Sequence, residues 1–481
     1  MKVYGWLLPA LGLLAALALA GCGAPSDVAS GLDETVTAMV GVEQAGPLAE
    51  YRLELTLDPA ARRLTGRQQV TFPNTTARAL EEIVFRLYPN LPQYGGRLEV
   101  ASVWVDGEGI APTLRANNTA LAIPLAAPLA PGASADVSLT FEVQIPEREA
   151  GYVLFGHSQG VWSLPDAYPL LAVHDGKTWR EDIAPAHGDA VFAAAGLYEV
   201  SLTLPSTLTL VATGSIVQAP DAGDARTYQI RGGPLREFAW LAGADYRVKE
   251  ITTQGVRVRS HYLLGDDAAG EAALHTAAAA LRVYSEAFGP YPFPVIDVVE
   301  APLEYYGMEY PGLNLIGLDL YRSRRNQLED RVVHEVAHQW WYAQVGNDPV
   351  NVPWLDEGLA EYSMATYYAA VYGQARANTL INQRWLVPYL TAVDEGRDTV
   401  VNRPSASFGP EYEIMVYGKA ALFFDALRQE LGTEGYLSVL RAYVERYRWR
   451  IATPADFLNV AEEISGRELD RMYNHWILSS Q

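Results

Sequence analysis

The hydrophobic period changes once along this chain, and that change limits the fold more than any other feature. From about Tyr51 to Gly243 apolar and polar residues alternate. Val137, Leu139, Phe141, Val143 and Ile145 do so before Pro146, and Tyr198, Val200, Leu202 and Leu204 before Pro205. A period of two turns one face of a strand toward a core. Asp106-Gly107-Glu108-Gly109 and Pro131-Gly132 supply turns between the runs. After about Ile251 the spacing becomes helical and predicts helices over 268–288, 327–345, 357–372, 412–431 and 453–464. Thr453 with Pro454 forms a start signal for the last of these, and Gly466 a stop. Strands followed by helices imply an α+β chain: an antiparallel β-sandwich or saddle over 49–248, then a mostly helical domain over 249–481.

Composition narrows the partners. With 49% hydrophobic and 19% charged residues the chain is globular rather than disordered. Its 36 Lys and Arg face 57 Asp and Glu, a formal charge of −21, which repels phosphate backbones and excludes a nucleic-acid partner. One Cys forbids an intrachain disulfide and a thiolate metal cluster. That residue, Cys22, closes Leu19-Ala20-Gly21-Cys22 after an apolar run that begins at Val3 behind Lys2. The pattern reads as an export signal over 1–21 and resembles a bacterial lipobox. Cys22 is then the expected lipid attachment site and 22–48 a tether, on a protein exported to the outer face of a bacterial membrane. An uncleaved apolar helix and a plain secretory signal are the alternatives.

His334-Glu335-Val336-Ala337-His338 falls inside a helical run. Residues four apart stand one turn apart on one face, so both imidazoles can reach one metal ion at about 2.0–2.1 Å. Glu335 lies beside them as a proton acceptor. A catalytic zinc site commonly takes three protein ligands and leaves one position open. Trp341 and Gln344 stand where a metzincin would have Gly and a third His. The third ligand therefore comes from elsewhere, and Glu357 is a carboxylate separated from His338 by eighteen residues, within Trp354-Leu355-Asp356-Glu357-Gly358.

Together these residues resemble the gluzincin metallopeptidases of family M1, the aminopeptidase N and leukotriene A4 hydrolase group. Three more segments carry the resemblance: Phe288-Gly289-Pro290-Tyr291-Pro292-Phe293-Pro294, Gly307-Met308-Glu309-Tyr310-Pro311-Gly312, and Val416-Tyr417-Gly418-Lys419-Ala420. The resemblance implies a thermolysin-like zincin catalytic domain, one Zn²⁺ held by His334, His338 and Glu357, and Glu335 as general base and acid. It implies further that Tyr417 donates to the oxyanion, that Gly307, Met308 and Glu309 line the substrate, and that Glu309 pairs with the α-ammonium of a peptide.

The sequence departs from the family at three places. Tyr310 stands where Asn is usual, no acidic or amide anchor is evident around Tyr168-Pro169-Leu170-Leu171, and the resemblance ends near Trp476. Ammonium capture is thus expected to rest on Glu309 alone, in a cleft left open by the lack of a helical C-terminal domain. An aminopeptidase is the expected activity. An endopeptidase or dipeptide-releasing enzyme, and a noncatalytic peptide-binding scaffold, are the alternatives. Glu361 is either a partner of a metal-bound His or a solvated helix acid. His157, His174, His187, His261, His275 and His475 have no ligand spacing and read as ordinary polar or packed residues.

Overall fold

The computed structural model describes residues 45–480. The export signal, Cys22 and most of the 22–48 tether lie outside the described residues. The first half forms an eight-stranded sheet. It runs, from edge to edge, through Ser215–Ala222, Ala225–Leu235, Gly196–Pro205, Ala49–Asp58, Arg63–Pro73, Ser134–Gln144, Arg97–Val105 and Glu108–Gly109. Alternation gives each strand a buried face: Tyr51, Leu53, Leu55 and Leu57 point inward while Arg52, Glu54 and Thr56 face solvent. Two four-stranded sheets, built from segments between Leu80 and Gly243, complete this half.

The α+β reading is borne out, with one difference. Ala49–Asp58 pairs in parallel with Gly196–Pro205, Leu53 opposite Val200, so the large sheet is mixed rather than antiparallel throughout. A parallel neighbour needs a long crossover, and here nearly all of the intervening β structure supplies it.

A five-stranded sheet opens the second half in the order Tyr246–Thr253, Val256–Leu263, Val295–Ala301, Leu313–Gly317, Gly307–Tyr310. The expected division at 248 falls inside its first strand. Gly307–Tyr310 is the edge strand, antiparallel to Leu313–Gly317 with Glu309 opposite Asn314. Helices Asp267–Phe288 and Leu328–Ala337 pack against this sheet, and Trp354–Tyr372 and Ala420–Tyr447 pack against those helices and each other. Among the described residues no helix is long and apolar enough to cross a membrane.

Helix ends differ from the expected spans for identifiable reasons. The run expected over 327–345 is regular only from Leu328 to Ala337. Beyond His338 the chain enters wide turns in which Ala343 N–H donates to the His338 carbonyl and Val345 N–H to that of Trp340, 2.9 and 3.0 Å. Burial of both Trp340 and Trp341 accompanies this widening. The run expected over 412–431 begins as a π-helical turn, Ile414–Lys419, and continues as a helix to Tyr447 through a nonhelical Gly432. Thr453 caps its helix as expected: its hydroxyl accepts from Asp456 N–H while Asp456 accepts from Thr453 N–H.

The two halves are joined through a buried cation. Arg236 is 1% exposed, and its guanidinium donates to the carbonyls of Ala193 (3.3 Å), Tyr342, Gln344 (3.2 Å) and Arg450 (2.9 Å). Gly346 must be glycine, because a Cβ there would come within 2.3 Å of Arg236 Cζ. Removing the guanidinium orphans carbonyls from three segments at once. Arg236→Met is therefore expected to cost roughly 3–5 kcal/mol. Urea denaturation checks this, and a loss below about 1 kcal/mol would show that the contact is not a lock.

Candidate metal and peptide site

Helix Leu328–Ala337 delivers His334 and Glu335, and His338 follows one residue beyond its end. Glu357 comes from the first turn of Trp354–Tyr372. That turn is fixed by the buried Trp354, whose Nε1 donates to Asn402 Oδ1 at 3.1 Å, and by Asp356 Oδ1, which accepts from Glu357 N–H at 3.0 Å.

His334 Nε2 and His338 Nε2 are 3.1 Å apart, and Glu357 Oε2 is 3.2 and 3.3 Å from them. A four-coordinate ion at about 2.0–2.1 Å from each ligand separates its ligands by about 3.3 Å, so the triangle has the dimensions of a closed face of such a site. The far sides of the rings agree. His338 Nδ1 donates to the Trp341 carbonyl at 3.0 Å, and His334 Nδ1 lies 3.0 Å from Glu361 Oε2, at an angle too oblique for a hydrogen bond. With the Nδ1 atoms so directed, both Nε2 lone pairs converge on one point. Burial alone would push the Glu357 carboxyl up, but the two imidazoles hold it well below the usual carboxylate range.

Glu361 proves to be a partner of His334 and not a solvated acid: it is 1% exposed. Trp385 Nε1 donates to it at 2.7 Å and Arg384 adds an ion pair, both from the π-helical turn Ile381–Leu386. Against the cost of burial, Arg384 and His334 keep its carboxyl well below the ordinary value.

Tyr417 sits on the second π-helical turn, and its hydroxyl donates to Glu357 Oε1 at 2.5 Å. Burial, with the Glu357 charge next, raises its pKa well above the usual phenol, so it stays a donor. Two residues on, the fully buried Lys419 fastens the turn, its Nζ donating to Asp398 Oδ1 (2.7 Å) and the carbonyls of Thr399 (3.1 Å) and Ser479 (2.8 Å).

Glu335 is buried against the edge strand so closely that a Cβ on Gly307 would meet its Oε1 at 2.1 Å. Met308, next in the strand, is partly buried against the core. Glu309 is 5% exposed, carries an oxygen within 4.8 Å of ligand atoms on Glu335 and His338, and accepts no hydrogen bond from any described residue. Burial, then the charge of Asp189, pushes its carboxyl well above the usual range.

Asp189 is the residue the sequence reading missed. It lies in the segment before the strand Gly196–Pro205 and lines, with Glu309, both the main cleft and a smaller recess beside Tyr94 and Tyr342. Glu309 thus has a second acid from the β half, and the expectation that it acts alone is corrected. His187, read as ordinary, lines the cleft too, with Nε2 3.0 Å from the Ser405 carbonyl. Only the turn residues around Gly188 marked this segment, and turns are common. The cleft holds about 630 Å³ between the two halves.

Residues 272–476 match the family model for the peptidase family M1 domain. Aminopeptidase M1-D of rice (Oryza sativa subsp. japonica) is 25% identical over 294 residues, which cover 58% of this chain and 34% of the relative. Aminopeptidase M1 of Arabidopsis thaliana is 23% identical over 299 residues, covering 59% and 34%. The chain thus spans about a third of the length of these relatives. In fold it is similar to an M1 zinc metallopeptidase from Deinococcus radiodurans, with TM-score 0.66 and 19% identity over 90% of this chain and 94% of that one. A form of that enzyme bound to the peptide Tyr-Ser-Ala gives 0.67 and 20%, covering 90% and 95%. The span that matches the peptidase family M1 domain contains His334, Glu335, His338, Glu357 and Tyr417.

Proposed function

We propose that this protein is a zinc aminopeptidase that removes residues one at a time from the free amino end of peptides. The observation that carries this reading is Glu309: a buried carboxylate without a hydrogen-bond donor, next to Glu335 and the ligand triangle, with Asp189 behind it. An α-ammonium is the cation that fits there and still leaves the first peptide bond at the triangle. The plant relatives are aminopeptidases, and a similar structure holds a tripeptide, which supports the reading.

Zinc held by His334, His338 and Glu357 would supply a Lewis acid for the scissile carbonyl and acidify a water molecule. Glu335 takes a proton from that water and returns it to the leaving amine. Its carboxylate is kept in place by Gly307 on one side and by Arg331 Nη1, 3.4 Å away, on the other. Tyr417, already a donor beside the triangle, hydrogen-bonds the oxygen on which charge develops. The Trp341 carbonyl holds the His338 imidazole in the tautomer that binds metal, and the Glu361 carboxylate faces Nδ1 of His334 at 3.0 Å. A set so complete is not expected of a noncatalytic scaffold.

Glu335→Gln preserves shape and hydrogen bonding but removes the base. The variant is expected to keep one zinc per chain by elemental analysis and to lose at least about a hundredfold in kcat. A zinc-replete variant with normal turnover would remove the mechanism. Glu309→Ala is expected to lower kcat/KM on peptides with a free amino terminus by about tenfold to a hundredfold, as loss of a charge-assisted hydrogen bond does. Acetylated peptides should be poor substrates for the wild type. Their ready cleavage would instead indicate an endopeptidase working in the same cleft.

We also propose that Cys22 carries a lipid and holds the protein at the outer face of a bacterial membrane. The apolar run, the small residues before Cys22 and its being the one Cys in the chain support this. Cys22→Ala is expected to move the protein from the detergent phase to the soluble fraction. Unchanged partitioning would sink the anchor.

A further inference from the structure

Arg324, Gln327, Arg331 and His334 succeed one another at steps of three and four from the start of the turn Arg325–Gln327 into the helix Leu328–Ala337, Glu335 stands four residues after Arg331, and all five line the cleft. The metal triangle and the base therefore lie at one end of a stripe whose other end is cationic. Glu309 approaches this helix at its opposite end, with Oε1 4.0 Å from His338 Nδ1. Charge is sorted along the helix axis: acids beside His338, the reactive groups at His334 and Glu335, guanidinium groups beyond.

The two arginines are only lightly committed. Arg331 is 22% exposed and its one ion pair among the described residues is the 3.4 Å contact to Glu335, which leaves most of its five donors unused. Arg324 is exposed, lies 4.2 Å above the Tyr305 ring, and pairs with no acid among the described residues. The ring holds its flat face and leaves the N–H edge open. The Tyr305 and Tyr306 hydroxyls, 3.2 Å apart, line the same cleft as both arginines. Glu413 also lines the cleft and limits its attraction for anions.

We propose, on the aminopeptidase reading above, that Arg331, backed by Arg324, binds the C-terminal carboxylate of the substrate, so that the preferred substrates are short peptides with both termini free. The length follows from the side-chain distances. Arg331 Nη1 lies 3.4 Å from Glu335 Oε1, and ligand atoms of Glu335 and Glu309 lie within 4.8 Å of each other. Ammonium at Glu309 and carboxylate at Arg331 are therefore no more than about 10 Å apart, the reach of about three residues at about 3.3–3.6 Å each. A zwitterionic tripeptide matches the sorted charges of the cleft; a protein chain supplies no carboxylate there.

The test compares kcat/KM of the zinc-loaded full chain for tri-alanine and for tri-alanine amide. The expected acid-to-amide ratio is about tenfold to a hundredfold, the range for a charge-assisted pair. It should fall toward one in Arg331→Gln and recover in part in Arg331→Lys. A ratio reports on the carboxylate and is insensitive to any general effect of Arg331 through Glu335. A wild-type ratio near one, with both peptides cleaved, overturns the inference and leaves the aminopeptidase reading standing. A high ratio that persists in Arg331→Gln also overturns it. Failure of the zinc-loaded protein to cleave either peptide removes the aminopeptidase reading and this inference together.

Discussion

Like-charged and desolvated groups crowd one small volume, and the rest of the catalytic half is arranged around that fact. Two imidazole nitrogens 3.1 Å apart and a buried carboxylate stand within a few ångströms of Glu335 and Glu309. Such a cluster is costly unless each charge is met. A divalent cation would be held by the triangle from within, and the second ring nitrogens are met from without. Arg384 and Trp385 neutralise and orient Glu361, which in turn faces His334. Glu309, with Asp189 behind it, is left for something that arrives from solvent.

The β half contributes position more than core. Its Arg236 reaches across to carbonyls of the loop that follows His338, and its segment around Asp189 forms one wall of the cleft. Substrate recognition therefore depends on how the two halves are docked, whereas the metal triangle is built within the helical half alone. Changes at the interface should act on substrate binding before they act on metal affinity.

Sequence made the metal triangle legible, because a helix converts a spacing of four into a shared face, and the helix expected from 357 does carry Glu357, although it begins three residues earlier, at Trp354. Alternation in the first half was as plain, since each strand buries one face. What escaped were features set by distant contacts. Asp189 has no local pattern: it lies near Glu309 only because the large sheet returns its segment to the cleft. The parallel pairing of Ala49–Asp58 with Gly196–Pro205 is likewise a matter of order in the sheet, which period does not encode. The end of regular helix at Ala337 depends on where two large indole side chains find room.

Both groups that touch the carboxylates around His334 from the far side, Tyr417 and the Arg384–Trp385 pair, ride on π-helical turns. Such a turn holds one residue more than an α-turn and is often found at functional sites. Each flows into regular helix, Ala420–Tyr447 or Val387–Asp394, without a break. Loss of one residue from either turn would restore an ordinary helix but rotate all that follows by about 100° relative to what precedes. These segments thus tolerate substitution far better than a change in length, and their length acts as an indexing device for the side chains around the metal.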